Sequence, residues 1–265
     1  MPDLTNPDYL LNQQYKNAAN LNARVNIHAR FSANPYGWFR WVFDHYTLTQ
    51  GCQVLELGCG TGECWKIPLA RIPAASRIIL SDFSSGMLAQ ARQNLAGSCP
   101  FAFEVIDAQS IPYGNAAFDV VIANHMLYHV PDRPRALLEI RRVLKPGGHF
   151  YATTIGDPHL RELYLLAYRF DPEGAVDHLK ITAEFSLESG LDQLRAFFQD
   201  VVMDRYPDSL HVTEAAPLVD YILSTFKFRG WGDRRAELLA FIESELQARG
   251  GAIDITKDSG IFISS

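Results

Sequence analysis

The sequence predicts a doubly wound α/β fold: a mostly parallel sheet, preceded by helices and carrying a helical cap insertion. Three observations carry that expectation. Short apolar runs alternate with amphipathic segments from Val54 to Thr154. The first run passes without a gap into a glycine turn, Gly58-Cys59-Gly60-Thr61-Gly62. Acids stand in or just beyond three successive runs, at Glu56, Asp82 and Asp107. Ligands in open parallel sheets bind beyond the carboxyl ends of the strands, so glycines and acids there mark a candidate crevice.

The elements follow in chain order. Residues 1–50 read as an N-terminal helical segment ahead of a domain over 51–265. Asn34-Pro35-Tyr36-Gly37 is a turn signal, and Trp38 to Phe43 is apolar enough to pack on a sheet. Tyr15, Arg24, His28 and Arg30 are polar positions able to fold over a ligand. Val54–Leu57 is a short buried strand, and the segment after Gly62 is expected to be helical, with its first N–H groups facing the crevice. Arg77–Ser81 is the second strand. Ser84 caps a helix running to Leu95, with Gly97 beyond its end. Phe101–Ile106 and Val120–Ala123 are the next strands. Asp132 caps a helix ended by Lys145-Pro146-Gly147-Gly148, and His149–Thr154 is the fifth strand. Residues 156–198 break the rhythm with helical pieces and form the expected cap. Val201–Tyr206 is a sixth strand, followed by helices over Thr213–Phe226 and Asp233–Arg249. Ile253–Ser264 reads as two runs split by a hairpin signal at Asp258-Ser259-Gly260.

Bulk properties bound the function. The chain has 265 residues, 48% of them hydrophobic, enough to bury a large core. Its 24 basic and 30 acidic residues leave a formal charge of −6, which offers no electrostatic footprint for nucleic acid. No apolar run reaches the ~18 residues of a membrane span. Met1–Asn20 lacks the layout of a secretory signal, so a cytoplasmic location is expected. Cys52, Cys59, Cys64 and Cys99 contain no C-x-x-C pair and read as reduced residues, not as a disulfide framework or a metal site.

The glycine spacing separates nucleotide readings. A dinucleotide fingerprint, G-x-G-x-x-G, would put glycine where Glu63 stands, which disfavours a nicotinamide oxidoreductase. A phosphate loop would end in Gly-Lys-Ser/Thr, which is absent. Asp82, about twenty residues on, has the geometry to accept both hydroxyls of a ribose, and Asp107 to accept from an adenine amino group.

Glu56-Leu57-Gly58-Cys59-Gly60-Thr61-Gly62 resembles the first motif of the class I S-adenosylmethionine-dependent methyltransferases. Ser81-Asp82-Phe83-Ser84-Ser85-Gly86-Met87-Leu88 is similar to their ribose-binding segment, and Asp107-Ala108-Gln109-Ser110-Ile111-Pro112-Tyr113 to their adenine loop. Phe118-Asp119-Val120-Val121 and Leu144-Lys145-Pro146-Gly147-Gly148 match the fourth strand and the turn into the fifth. The resemblance covers about residues 50–154, on the pattern of the ubiquinone/menaquinone-biosynthesis type of small-molecule methyltransferase. It implies a Rossmann-like fold, S-adenosyl-L-methionine as cofactor and a small-molecule acceptor. It also implies cofactor-binding roles. Glu56, Gly58, Cys59, Gly60 and Gly62 form the loop motif, and backbone near Gly58 and Asn124 takes the methionine amino group. Asp82 takes the ribose, Phe83 and Met87 flank the adenosine, and Asp107 and Ala108 read the adenine.

Asn124-His125-Met126-Leu127-Tyr128-His129 lies where an acceptor would sit. His125, less so His129, is a candidate general base; either can equally position the substrate. Their i, i+4 spacing lacks the H-E-x-x-H glutamate and a third ligand, so no metal is expected. The Asn-Pro-Pro-Tyr/Phe motif of nucleic-acid amino methylation is absent. A non-catalytic module that keeps the cofactor site but lacks an acceptor pocket is the alternative, and an open cavity beside the methyl position separates the two. The sequence assigns neither the acceptor atom nor an oligomeric state.

Overall fold

The computed structural model describes residues 19–66, 69–97, 101–173, 184–224 and 230–265. Tyr15 and Cys99 lie outside the described residues. Two helices come first, α1 (Ala19–Phe31) and α2 (Trp38–Asp44). Strands β1 (Gln53–Leu57), β2 (Arg77–Asp82), β3 (Phe101–Val105), β4 (Phe118–Asn124) and β5 (Leu144–Ile155) follow, with α3 (Ser85–Asn94) after β2 and α4 (Arg133–Val143) after β4. Then come α5 (Arg161–Phe170), α6 (Gly190–Arg195), β6 (Val201–Val212), α7 (Ala215–Ser224), α8 (Arg235–Ala248) and β7 (Ile253–Ser264). The strands form one seven-stranded sheet in the order β3-β2-β1-β4-β5-β7-β6, parallel from β3 to β5, with β7 antiparallel to both its neighbours.

Period-two alternation explains the two-sided core. Val54, Ile78, Leu80, Val120 and Ile122 pack with Val42 and Phe43 of α2 and with Leu88 and Ala91 of α3. The intervening Leu55, Leu57, Ile79, Val121 and Ala123 pack with Leu137, Ile140 and Val143 of α4 and Leu194 of α6. Both faces are buried, so these strands read as continuous apolar runs. The caps are local: the Ser84 hydroxyl accepts from Met87 N–H, and Asp132 accepts from Arg135 N–H.

Two expectations are corrected. Among the described residues, the segment after Gly62 holds two 3₁₀ turns, Glu63–Trp65 and Leu69–Arg71, and no α-helix. Gly62 adopts φ 77°, and a Cβ there would lie 2.9 Å from Leu95 Cδ1, so this glycine serves the packing of α3 against the loop. The Asp258-Ser259-Gly260 segment is no hairpin. It lies within the continuous strand β7, where Gly260 pairs with both Thr154 of β5 and Arg205 of β6. The glycine answers a close approach, since a Cβ would stand 2.5 Å from Asp204 O and 3.0 Å from Leu187 Cδ2. Gly260→Ala is accordingly expected to destabilise the fold by about 1–3 kcal/mol through overpacking, read as a lower urea midpoint at constant slope.

The β6–β7 pair is twice as deep as its junction with the sheet. Only Ser259–Ser264 of β7 pair with β5, whereas Ile253–Asp258 pair with β6 alone. This overhang supports a third cluster, in which Leu210, Val212, Ile253 and Ile255 pack with Ile27 of α1, Leu163 and Leu166 of α5, Leu218 and Ile222 of α7, and Leu238 and Ile242 of α8. Within 156–198, α5 belongs to this cluster, while Phe185, Leu187, Leu194 and Phe198 join the sheet core. The helices above the strand tips therefore come from four separate stretches of chain.

Candidate active site

The chain runs outward from β1 to β3 and then returns to β4 on the other side of β1, which opens a crevice between the β1 and β4 tips. The parallel register sets Leu57 level with Ser81 and Ala123, and Asn124 level with Thr153. A cavity of about 780 Å³ fills the crevice and continues beneath α1. Glu56, Gly58, Cys59, Gly60, Asp82, Phe83, Met87, Asp107, Ala108 and Asn124 all line it; Gly62 does not. The missing glycine reflects the packing role described above.

Each strand tip is held by its own polar groups. Asp82 accepts from Gly60 N–H at 2.9 Å through one carboxylate oxygen and from Ser84 N–H at 2.8 Å through the other. Cys59 N–H donates to Ser81 O at 2.8 Å, tying the glycine loop to β2. A Cβ on Gly58, at φ 68°, would stand 2.8 Å from Met126 Cβ, so only glycine fits between loop and β4 tip. Asp107 accepts from Gln109 N–H at 2.9 Å and closes a turn with Ser110 N–H donating to its carbonyl at 2.9 Å.

Behind the loop sits a buried network that the sequence did not signal. Glu56 accepts from the Trp65 indole N–H at 2.5 Å and from the Asn124 amide at 2.8 Å. The same amide nitrogen lies 2.9 Å from Tyr46 Oη, and the Asn124 oxygen accepts from the Thr153 hydroxyl at 3.2 Å. Tyr46, Trp65 and Thr153 look like ordinary core residues in one dimension, and only the fold shows that they surround the Glu56–Asn124 pair. Burial pushes the Glu56 carboxyl up to about 7, against the pull of its Trp65 and Asn124 hydrogen bonds. Burial also raises Asp82, opposed by the two backbone N–H groups. The thiols of Cys59 and Cys64 are driven well above their ordinary range by burial, then by the Glu56 charge, so neither is an activated nucleophile.

The far half of the cavity is lined by Arg24 and His28 of α1, Trp38, His125, His129, His159, Tyr164, Tyr221 and Lys257. Of the four N-terminal candidates, Arg24 and His28 thus reach the cavity, while Arg30 pairs with Glu214 at the surface. His159, Tyr164, Tyr221 and Lys257 come from regions without a sequence motif. His125 has a left-handed backbone (φ 49°), its N–H donates to Thr153 O at 3.0 Å, and its ring sits 5.3 Å from that of Trp38. His129 ends a 3₁₀ turn, so the i, i+4 spacing is not realised on a helix. Among the described residues, no three His, Cys, Asp or Glu side chains are grouped to hold a metal ion. Nor is any described helix long and apolar enough to cross a membrane.

Residues 55–152, from β1 into β5, match the methyltransferase domain family, and the parallel sheet with its glycine loop over that stretch has a Rossmann-like fold. Among curated proteins, the chain is 31% identical over 131 residues to demethylmenaquinone methyltransferase of Symbiobacterium thermophilum, covering 47% of this chain and 52% of that protein. It is 32% identical over 148 residues to the ubiquinone/menaquinone biosynthesis C-methyltransferase of Geobacter sulfurreducens, covering 54% of each. The chain spans about half the length of the curated relatives it matches. Among solved structures, Haemonchus contortus phosphoethanolamine N-methyltransferase 2 in complex with S-adenosyl-L-methionine aligns with TM-score 0.60 and 18% identity, over 100% of this chain and 60% of that one. The [4+2]-cyclase SpnF aligns with TM-score 0.54 and 18% identity, over 95% and 94%. A methyltransferase and a cyclase on one architecture make these likenesses ones of fold alone.

Proposed function

We propose that the chain transfers a methyl group from S-adenosyl-L-methionine to a small-molecule acceptor. The observation that carries this reading is the single cavity that joins the three strand tips to a polar chamber. A module that only bound the cofactor would have no use for that chamber. Its volume, about 780 Å³, falls in the range typical of small-molecule sites, about 300–1,000 Å³.

The residues fit the cofactor chemically. Asp82 retains acceptor capacity after its two backbone hydrogen bonds, because each carboxylate oxygen has two lone pairs. Asp107 stands at the β3 tip with Ala108, in reach of an adenine edge, and Phe83 and Met87 offer apolar surface to the adenosine. Gly58 and Asn124 backbone groups flank the place for the amino acid end. When bound, S-adenosyl-L-methionine supplies an activated methyl on a cationic sulfur. The protein holds donor and acceptor in line and excludes water as charge leaves that sulfur. Burial, aided by Lys257 and His129, lowers His125 to about 4. It therefore stays neutral at physiological pH and takes a proton only from a strongly acidic acceptor. His125 is read here as a wall and positioning residue. His125→Asn is expected to reduce methyl transfer less than about tenfold; a loss of the 10²–10⁴-fold typical of a missing base would restore the base assignment.

Glu56 and Asp82 make cofactor binding pH-dependent. Both carboxyls have raised pKa values in the empty site, Glu56 at about 7. A cationic ligand favours their ionised forms, so binding releases protons and affinity rises from pH 6 to pH 8. Calorimetry in buffers of different ionisation enthalpy checks this, and a proton count of zero at pH 6.5 would reject it. A radiolabelled methyl screen over fractionated metabolites tests the activity itself. No incorporation, with tight cofactor binding, would favour the non-catalytic alternative.

A further inference from the structure

The chamber under α1 contains an unmet hydrogen-bonding requirement. His28 Nδ1 is buried and has no hydrogen-bond partner. Its ring stacks on that of His159, with centroids 6.2 Å apart and planes at 29°, and meets the Tyr221 ring edge-on at 6.1 Å. Both histidines line the cavity. A buried polar atom without a partner is destabilising, and because Nδ1 has almost no accessible surface, a ligand atom supplies the missing bond when the His28 ring turns that nitrogen toward the chamber.

His159 defines the other half of the requirement. Its Nδ1 accepts a hydrogen bond from Asp258 N–H at 3.1 Å. A neutral imidazole that accepts at Nδ1 carries its proton at Nε2 and donates there. Neutrality is enforced by the surroundings: burial first, then the nearby Lys257 charge and His125, holds His28 at about 3, and burial with the neighbouring His28 and His125 rings and the Lys257 charge keeps His159 well below the ordinary range. The one ammonium facing this cluster from β7, Lys257, is itself engaged, with its nitrogen 2.5 Å from Asp208 Oδ2 and both side chains buried. A carboxylate or phosphate entering the chamber would thus find Lys257 already paired and the Arg24 guanidinium already donating to Ser224 O at 2.9 Å. A protonated amine would find no carboxylate among the residues named in that half of the cavity, Asp208 being held by Lys257. An uncharged oxygen meets neither obstacle.

On the basis of the methyl-transfer reading, we propose that His28 and His159 are the specificity-determining pair for the acceptor, holding it by an uncharged hydroxyl or carbonyl oxygen. The His159 Nε2–H donates to that oxygen, and a hydroxyl returns its own hydrogen to His28 Nδ1. The pair touches the acceptor and leaves the strand tips to the cofactor. Met126, Trp38 and Tyr128 line the intervening walls and suit a planar apolar body.

The test uses the full chain and three probes of equal ring size: 2-naphthol, naphthalene and 2-naphthoate. Binding is followed by fluorescence with and without saturating S-adenosyl-L-methionine, and imidazole ¹⁵N resonances are recorded on the wild type. The expected result is binding of 2-naphthol about tenfold tighter than either competitor, with shifts at His28 and His159. His28→Phe and His159→Phe abolish the preference and leave cofactor affinity within about twofold, while His28→Asn, which restores a polar partner, recovers part of it. Equal or tighter binding of 2-naphthoate, no binding of 2-naphthol, unshifted His28 and His159 resonances, or an undiminished preference in the folded phenylalanine variants would overturn the proposal. The wild-type spectra decide even where a variant does not fold. Failure of S-adenosyl-L-methionine to bind the wild type would instead strike at the function proposed above, because the probe preference is read without it as well.

Discussion

Asp208→Ala is expected to lower the stability of the chain by about 3–5 kcal/mol, the loss typical when one partner of a buried ion pair is removed. Asp208 is fully buried as a side chain, and Lys257, its cross-strand neighbour in the β6–β7 ladder, is 5% exposed. Burial alone would raise the Asp208 pKa, but hydrogen bonds from Lys257, Ser32 and Asn34 N–H outweigh it and hold it low. Lys257 is lowered by burial, which the Asp208 interactions only partly offset. The substitution strands an ammonium inside the protein and releases the α1–α2 connection, because Asn34 N–H donates to Asp208 at 2.9 Å. Urea denaturation measures the loss. An Asp208→Leu, Lys257→Met double variant should recover most of it, since a well-packed apolar pair avoids desolvating two charges. A loss below about 1 kcal/mol in the single variant would mean that water reaches the pair and screens it.

Asp82→Ala is expected to weaken S-adenosyl-L-methionine binding by about 1–3 kcal/mol, roughly five- to 150-fold in Kd. Two effects combine. The ligand loses a charged acceptor at the β2 tip, and the empty protein loses the clamp that holds Gly60 N–H and Ser84 N–H in place. The Asn variant keeps one acceptor oxygen and should show a smaller loss. Calorimetry on folded protein decides. Unchanged affinity for Asp82→Ala would remove Asp82 from the binding assignment, and with it the three-tip reading of the crevice.

Much of the crevice was readable in one dimension because its parts are local. A strand that ends in G-x-G-x-G must turn tightly, and an acid just past a strand must sit at that strand's tip; both follow from periodicity and backbone sterics. Ser84 and Asp132 were readable as caps for the same reason, since a cap bonds within its own first turn. Gly62 and Gly260 were misleading because a glycine signals either a turn or a close contact. The contact partners, Leu95 and Asp204, lie far off in sequence.

The chamber is different in kind. Arg24 and His28 share α1, but His159, Tyr221 and Lys257 come from the turn before α5, from α7 and from β7, which share no motif and no period. They meet because the outer halves of β6 and β7 extend past the sheet and carry four helices over the strand tips. The sequence alone therefore determined the sheet, the glycine turn and the acids at its edge, all products of short-range geometry. Which side chains meet in the chamber, and that Glu56 is buried within Trp65, Asn124 and Tyr46, was decided only by long-range packing, because burial and hydrogen-bond partners are properties of a surface brought together and not of the residues that compose it.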